Sequence, residues 1–73
     1  MKKNFDLIDL ECANCARKME EEVSKIEGVI SVSFNFMLQK LTLEAQDDKF
    51  DEILKTTIKI CKKIEPNCEI ILK

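Results

Sequence analysis

Two segments of helical periodicity, set among four segments of strand periodicity, constrain what this chain can fold into. Apolar side chains recur every three or four residues in the helical segments, residues 16–26 and 50–64, as on one face of an amphipathic helix. Apolar and polar side chains alternate in the strand segments, residues 4–7, 30–36, 41–44 and 68–73. Such alternation is typical of strands with one buried face. The predicted order of elements is therefore β-α-β-β-α-β.

This order predicts an α+β fold of the ferredoxin-like type, in which two helices pack on one face of a four-stranded antiparallel sheet. Right-handed crossovers make the first and second strands parallel, with the third between them and the fourth on the far side of the first. We expect three connections to lie together at one end of the molecule. These are the loop after the first strand, the hairpin between the second and third strands, and the loop after the second helix.

The size and composition of the chain narrow the possible functions. Its 73 residues predict one domain spanning residues 1–73. The absence of histidine excludes imidazole as a general base or metal ligand, and with it the Ser-His and Cys-His nucleophile pairs. The net charge of −2 and the single glycine argue against nucleic-acid binding and a glycine-rich phosphate loop. The longest apolar runs have three residues, so we expect no membrane-spanning segment.

The four cysteines are the unusual part of the composition. No signal-peptide core is recognisable, which favours a cytoplasmic location and metal or redox chemistry rather than disulfides. Cys12 and Cys15 fall where the first strand leads into the first helix, and their spacing lets both sulfurs converge on one ion. The helix N-terminus is expected to lower the pKa of both thiols. Asn14 is the expected N-cap of this helix, and Gly28 its expected left-handed stop.

The sequence resembles the heavy-metal-associated domain family over nearly its whole length. The resemblance rests on residues 10–16, 27–29, 31–35 and 40–43. It implies a β-α-β-β-α-β fold and one soft metal ion bound by Cys12 and Cys15. It is closest to N-terminal cytosolic domains of P-type ATPases that export zinc, cadmium and lead. These often have an acidic residue before the first cysteine, where this chain has Glu11. Asp9 and Leu10 stand where the family usually has glycine and methionine.

The choice of metal is predicted from the donor set. Two thiolates alone suit linear Cu(I), whereas two thiolates and a carboxylate give a mixed sulfur and oxygen set that suits Zn(II) or Cd(II). We therefore predict one soft ion, Zn(II) or Cd(II) rather than Cu(I), with Glu11 as third ligand beside Cys12 and Cys15. The alternative is that Glu11 is simply an exposed carboxylate at the end of a strand. Glu65, in the loop after the second helix, is a second candidate ligand.

The other sulfur-containing side chains are interpreted as structural. Cys61 lies on the apolar stripe of the second helix, and Cys68 shares a strand face with Ile70, which predicts that both are core residues. A four-cysteine metal site and a disulfide between Cys61 and Cys68 are the alternatives. Met19 and Met37 are predicted to be core and hairpin residues rather than thioether ligands.

The leading functional hypothesis is a metal-binding module. It binds a soft ion in the cytosol and either transfers it or senses it, as the N-terminal domain of a heavy-metal-translocating P-type ATPase. The alternative is a free-standing Cu(I) metallochaperone, and a more distant one is a thiol–disulfide oxidoreductase. We expect the isolated domain to be a monomer without catalytic activity. Its expected partners are the metal ion and other domains of the same ATPase, with no nucleic acid.

Overall fold

A computed structural model describes residues 1–72, and Lys73, the last residue of the predicted domain, lies outside the described residues. The elements are β1 (Lys2–Ile8), α1 (Ala13–Ser24), β2 (Val29–Asn35), β3 (Lys40–Ala45), a 3-10 turn (Asp47–Lys49), α2 (Phe50–Ile64) and β4 (Glu69–Ile71). The sheet order is β2-β3-β1-β4, with antiparallel pairing between all neighbours. The predicted α+β fold and strand order are therefore confirmed.

The core lies between the sheet and the two helices. Phe5 and Leu7 of β1 point inward beside Leu41 and Leu43 of β3, because successive side chains of a strand face opposite sides of the sheet. The helices cover this face with their own apolar stripes: Ala16, Met19 and Val23 from α1, and Phe50, Ile53, Thr57 and Cys61 from α2. The hydroxyl of Thr57, a buried polar side chain, donates to the Ile53 carbonyl at 2.8 Å.

The opposite face of the sheet is polar. The side chain of Lys40 pairs with Asp6 across β3 and β1. On the same two strands, the Thr42 hydroxyl donates to Asn4 Oδ1 at 2.8 Å. These pairs join outward polar side chains of β1 and β3 across the strands. Within residues 1–72, no helix is long and apolar enough to cross a membrane.

The connection that follows α1 differs from what the sequence predicts. Helix α1 ends at Ser24, and Gly28 lies beyond it, with φ +99°. A Cβ at Gly28 would lie 3.0 Å from Ile53 Cδ1 and 3.3 Å from Lys49 Cδ. The glycine therefore permits both a left-handed backbone and a close approach of the α2 N-terminus, rather than capping α1 directly. Asp47 begins the 3-10 turn that leads into α2.

Candidate metal site

The loop between β1 and α1 has a defined backbone conformation. Asp9 has φ +60°, a left-handed conformation that aspartate tolerates better than most residues with a Cβ. The resemblance predicts glycine at this position, and Asp9 adopts a conformation that glycine would adopt without strain. The side chain of Leu10 is 1% exposed and is anchored in the core. The chain thus turns sharply at Asp9, inserts Leu10 beneath the loop and then enters α1.

Cys12 occupies the N-cap position of α1, with φ −126° and ψ 113°. Its Sγ accepts a hydrogen bond from the backbone N–H of Cys15 at 3.2 Å, and its carbonyl accepts from Ala16 N at 3.0 Å. The expectation that Asn14 caps the helix was wrong, since Asn14 lies inside the first turn. A sulfur takes the place of the usual side-chain oxygen, which directs the helix N–H groups towards a potential metal ligand.

The two thiols of the pair have different pKa values. The pKa of Cys12 is lowered, first by a hydrogen bond from the Cys15 thiol and then by the backbone N–H groups of Cys15 and Asn14. The pKa of Cys15 is raised, first by the same thiol–thiol hydrogen bond and then by desolvation. The expectation of a lowered pKa therefore holds for Cys12 and is wrong for Cys15. Cys12 is the thiol that loses its proton first.

The two candidate carboxylates lie differently with respect to this pair. The charge of Glu65 contributes to raising the pKa of Cys15 and opposes the lowering at Cys12, so the α2–β4 loop approaches both thiols. Glu11 is an exposed side chain. Within residues 1–72, no three cysteine, aspartate or glutamate side chains form a group that could hold a metal ion together. The charge of Glu65 thus acts on the pair, and ligation by Glu11 or by Glu65 remains a prediction.

Cys61 and Cys68 are buried, with exposures of 1% and 0%. Desolvation raises the pKa of Cys61 to about 12 and also raises that of Cys68. All four cysteines are free thiols. The prediction that Cys61 and Cys68 pack in the core is confirmed. The four-cysteine alternative has no support among residues 1–72, where no group of three such ligands occurs.

Sequence reasoning missed Gln39, a residue of the β2–β3 turn that reaches the β1–α1 loop. Its side-chain nitrogen donates to the Leu10 carbonyl at 2.7 Å, and its side-chain oxygen accepts from Leu10 N at 3.0 Å. These bonds confirm that the hairpin and the β1–α1 loop meet at one end of the molecule. One signal was available in the sequence: residues 36–39 lack glycine, asparagine and aspartate, so the turn needs stabilising contacts from elsewhere.

Comparison with known proteins agrees with this geometry. The family model described as "Heavy-metal-associated domain" matches residues 4–68. This chain is a heavy-metal-associated domain. Members of this family bind heavy-metal ions and are not themselves catalytic.

Two curated relatives differ in how much of their length the domain represents. The domain is 31% identical over 70 residues to the cadmium, zinc and cobalt-transporting ATPase of Bacillus subtilis (strain 168), covering 96% of this chain but only 10% of that protein. It is also 31% identical over 64 residues to the copper transport protein ATOX1 homolog of Dictyostelium discoideum, covering 88% of this chain and 90% of that protein. The chain therefore resembles a small part of one protein and nearly the whole of another.

A solved structure supports the fold assignment. It is the N-terminal domain of a potential copper-translocating P-type ATPase from Bacillus subtilis in the Cu(I)-loaded state. The TM-score is 0.74 at 28% identity, and the match covers 99% of this chain and 85% of that one.

Proposed function

We propose that this domain binds one soft metal ion through the Sγ atoms of Cys12 and Cys15 and passes it to a partner by thiolate exchange. The observation that supports this most directly is the N-cap position of Cys12, whose Sγ accepts the Cys15 N–H at 3.2 Å. That arrangement stabilises a thiolate at the end of the molecule, where both cysteines are partly exposed. The lowered pKa of Cys12 favours the thiolate, which is the form that binds a metal ion.

The small number of protein ligands favours transfer over permanent binding. A closed site of four protein ligands holds its metal as a structural element, whereas a site with open positions accepts further ligands. In the proposed exchange, a thiolate of the partner bonds to the ion while both cysteines are still bound. One metal–sulfur bond of the domain then breaks, a second donor of the partner binds the ion, and the remaining metal–sulfur bond of the domain breaks. Each released sulfur can take up a proton. The ion keeps its charge throughout, so no oxidant or reductant is needed.

We further propose that Zn(II) or Cd(II) is preferred over Cu(I), with Glu11 completing the divalent site. Support comes from the position of Glu11 directly before Cys12 and from the preference of divalent ions for mixed sulfur and oxygen donors. Binding requires the exposed Glu11 side chain to turn towards the pair. The competing candidate is a Cu(I) metallochaperone, favoured by the 90% coverage of the small copper transport relative. The ATPase relative favours a domain on the cytosolic side of a transporter.

A direct test is titration of the fully reduced domain with Zn(II), Cd(II) and Cu(I). We expect one equivalent of each to bind, with thiolate-to-metal charge-transfer absorbance for Cd(II). Binding without a thiolate band, or of several equivalents at equal affinity, would contradict the assignment. Whether the domain is part of a transporter or a free-standing chaperone can be tested separately. A P-type ATPase core encoded in frame after Lys73 would support the transporter, and a stop codon there would support the chaperone.

The selectivity proposal is tested by Glu11→Ala, with Glu27→Ala as the matched carboxylate control away from the cysteines. We expect Glu11→Ala to weaken Zn(II) binding about tenfold and to leave Cu(I) affinity unchanged, because two soft thiolates satisfy Cu(I). Glu11→Asp is expected to keep most of the preference. Equal weakening of both metals in Glu11→Ala would mean that Glu11 shapes the loop rather than selecting the ion.

A further inference from the structure

Gln39 makes an unusual set of contacts for a residue in a hairpin turn. Its Nε2 donates to the carbonyls of Leu10 at 2.7 Å and Phe36 at 2.8 Å, and its Oε1 accepts from Leu10 N at 3.0 Å. Its own carbonyl accepts from Leu7 N at 2.8 Å. Both backbone polar groups of Leu10 are therefore bonded to a single side chain that lies 29 residues away in sequence.

We propose that Gln39 is a positioning residue of the metal site, which holds the backbone of Leu10 so that Cys12 is kept in the geometry that binds the ion. This inference rests on the proposed function. The Gln39 amide does not touch the metal or either sulfur in this scheme. It acts through Glu11, the one residue that connects Leu10 to Cys12.

The segment between β1 and α1 explains why such a residue is needed. β1 ends at Ile8 and α1 begins at Ala13, so Leu10 lies outside both the sheet ladder and the helix. The Gln39 amide bonds the N–H and the C=O of Leu10 as a neighbouring strand would, and thus replaces the missing ladder partner. The buried Leu10 side chain fixes the same residue from the other side. Cys12 is then held between a fixed Leu10 and the first turn of α1.

The consequence for binding follows from preorganisation. A metal ion that binds two cysteines on a mobile loop must also order that loop, and the lost conformational entropy weakens binding. A loop that Gln39 already holds in place loses less conformational entropy when the ion binds. Removing residues that orient metal ligands typically costs 10- to 100-fold in affinity. Because Gln39 acts two residues away from the ligand, we expect a loss of about tenfold, at the lower end of that range.

Gln39→Asn is the most informative variant. Gln39 has φ +52°, and asparagine tolerates this left-handed conformation, so the turn is kept. Its amide is one methylene shorter and cannot span the distance to Leu10. Gln46→Asn is the matched control, because Gln46 is an exposed residue at the start of the 3-10 turn. Gln39→Glu is a second variant of unchanged length, which keeps an acceptor for Leu10 N but loses the donors to both carbonyls.

Three measurements on each variant separate positioning from general stability. Backbone amide hydrogen exchange of the metal-free domain should show lost protection at Leu10 in Gln39→Asn and retained protection in Gln46→Asn. Competition with a chelator should show about tenfold weaker Zn(II) and Cd(II) binding in both Gln39 variants. Chemical denaturation should show that the variants remain folded where the affinity is measured.

The outcomes are distinct from those that test the proposed function. Wild-type domain that binds no metal would overturn the proposed function, whatever the exchange data show. Wild-type binding together with full affinity in both Gln39 variants, despite lost protection at Leu10, would overturn the positioning role. Unchanged protection at Leu10 in Gln39→Asn would show that the amide does not hold the loop.

Discussion

The two cysteine pairs of this domain place the same side chain in opposite surroundings. Cys12 and Cys15 are partly exposed at a helix N-terminus, where backbone N–H groups point towards sulfur. Cys61 and Cys68 are buried between α2 and β4, where desolvation raises both pKa values. The first environment stabilises a thiolate at Cys12, and the second stabilises the neutral thiol. Local surroundings, rather than the number of cysteines, therefore determine which pair is suited to bind a metal ion.

Removing each pair in turn is expected to have the largest effect. We expect the double variant Cys12→Ser, Cys15→Ser to lose tight metal binding while it stays folded, because these side chains lie outside the fully buried core. Cd(II)–thiolate absorbance measures this directly. The matched variant Cys61→Ala, Cys68→Ala is expected to keep the absorbance. The assignment fails if the absorbance survives in the first variant or disappears from a folded second variant.

The rate of alkylation by iodoacetamide measures how the four thiols differ in reactivity, both within each pair and between the two pairs. The thiolate is the reacting species, so a lower pKa and greater exposure both increase the rate. At neutral pH we expect Cys12 to react first and Cys15 second, while Cys61 and Cys68 stay unmodified in the native state. Peptide mass spectrometry after short reaction times gives the order. Faster modification of Cys15 than of Cys12 would contradict the assigned direction of their pKa shifts.

The free energy of unfolding should depend more on the buried pair than on the exposed pair, which is the reverse of metal binding. Removing the buried sulfur of Cys61 or Cys68 leaves a small cavity, and we expect a cost of about 1 kcal/mol for each. Urea denaturation of the Cys61→Ala, Cys68→Ala variant should thus show a loss of about 2 kcal/mol. The Cys12→Ser, Cys15→Ser variant should lose less. A buried pair whose removal costs nothing would mean that the core closes over both positions.

Alkaline pH tests the buried thiol of Cys61 through the stability of the metal-free domain. The Cys61 thiol ionises at its usual value of 9.0 when unfolded and at about 12 when folded. Between these values the unfolded state gives up a proton that the native state keeps, so stability falls as pH rises through this window. Comparing wild type with Cys61→Ala at about pH 8 and about pH 11 isolates this contribution. We expect a smaller fall in the variant, and an equal fall in both would assign the loss to other groups.

Much of the fold could be predicted from the sequence because it depends on local periodicity. Alternation in β1 and β3 and the helical spacing of Met19 and Val23 identify the elements and their buried faces, and the handedness of crossovers then leads to the strand order. Helix ends were predicted less well. Asn14 was expected to cap α1, yet Cys12 does so, because the general preference for oxygen at this position does not anticipate a sulfur ligand that accepts the same hydrogen bond.

The site was predicted only as far as its chemistry is local. The Cys12–Cys15 spacing reveals the pair, but the different pKa values of the two thiols depend on the direction of the hydrogen bond between them. The contact of Gln39 with Leu10 joins residues 29 apart in the chain, and no periodicity encodes such a contact. Glu65 is different, because the predicted topology already placed the loop after the second helix at the same end of the molecule as the cysteine pair.

Glu65 gives the smallest expected effect and links the two pairs. Its negative charge acts to raise the pKa of Cys12 and Cys15, and also that of Cys68. In each case it is a lesser cause than hydrogen bonding or desolvation. We therefore expect Glu65→Gln to lower the pKa of all three thiols modestly, since removing a nearby negative charge makes each thiolate easier to form.

Glu11→Gln is the matched control for that prediction, because Glu11 lies on the same loop as the cysteine pair. The thiol pKa values can be followed through the NMR shifts of the cysteine Cβ atoms as pH is raised. If the pKa of all three thiols decreases in Glu65→Gln but not in Glu11→Gln, the charge of one carboxylate acts on both pairs. Equal shifts in the two variants would attribute the effect to the net charge of the domain. Because exposed charges are screened by salt, the difference between the variants should shrink as ionic strength increases.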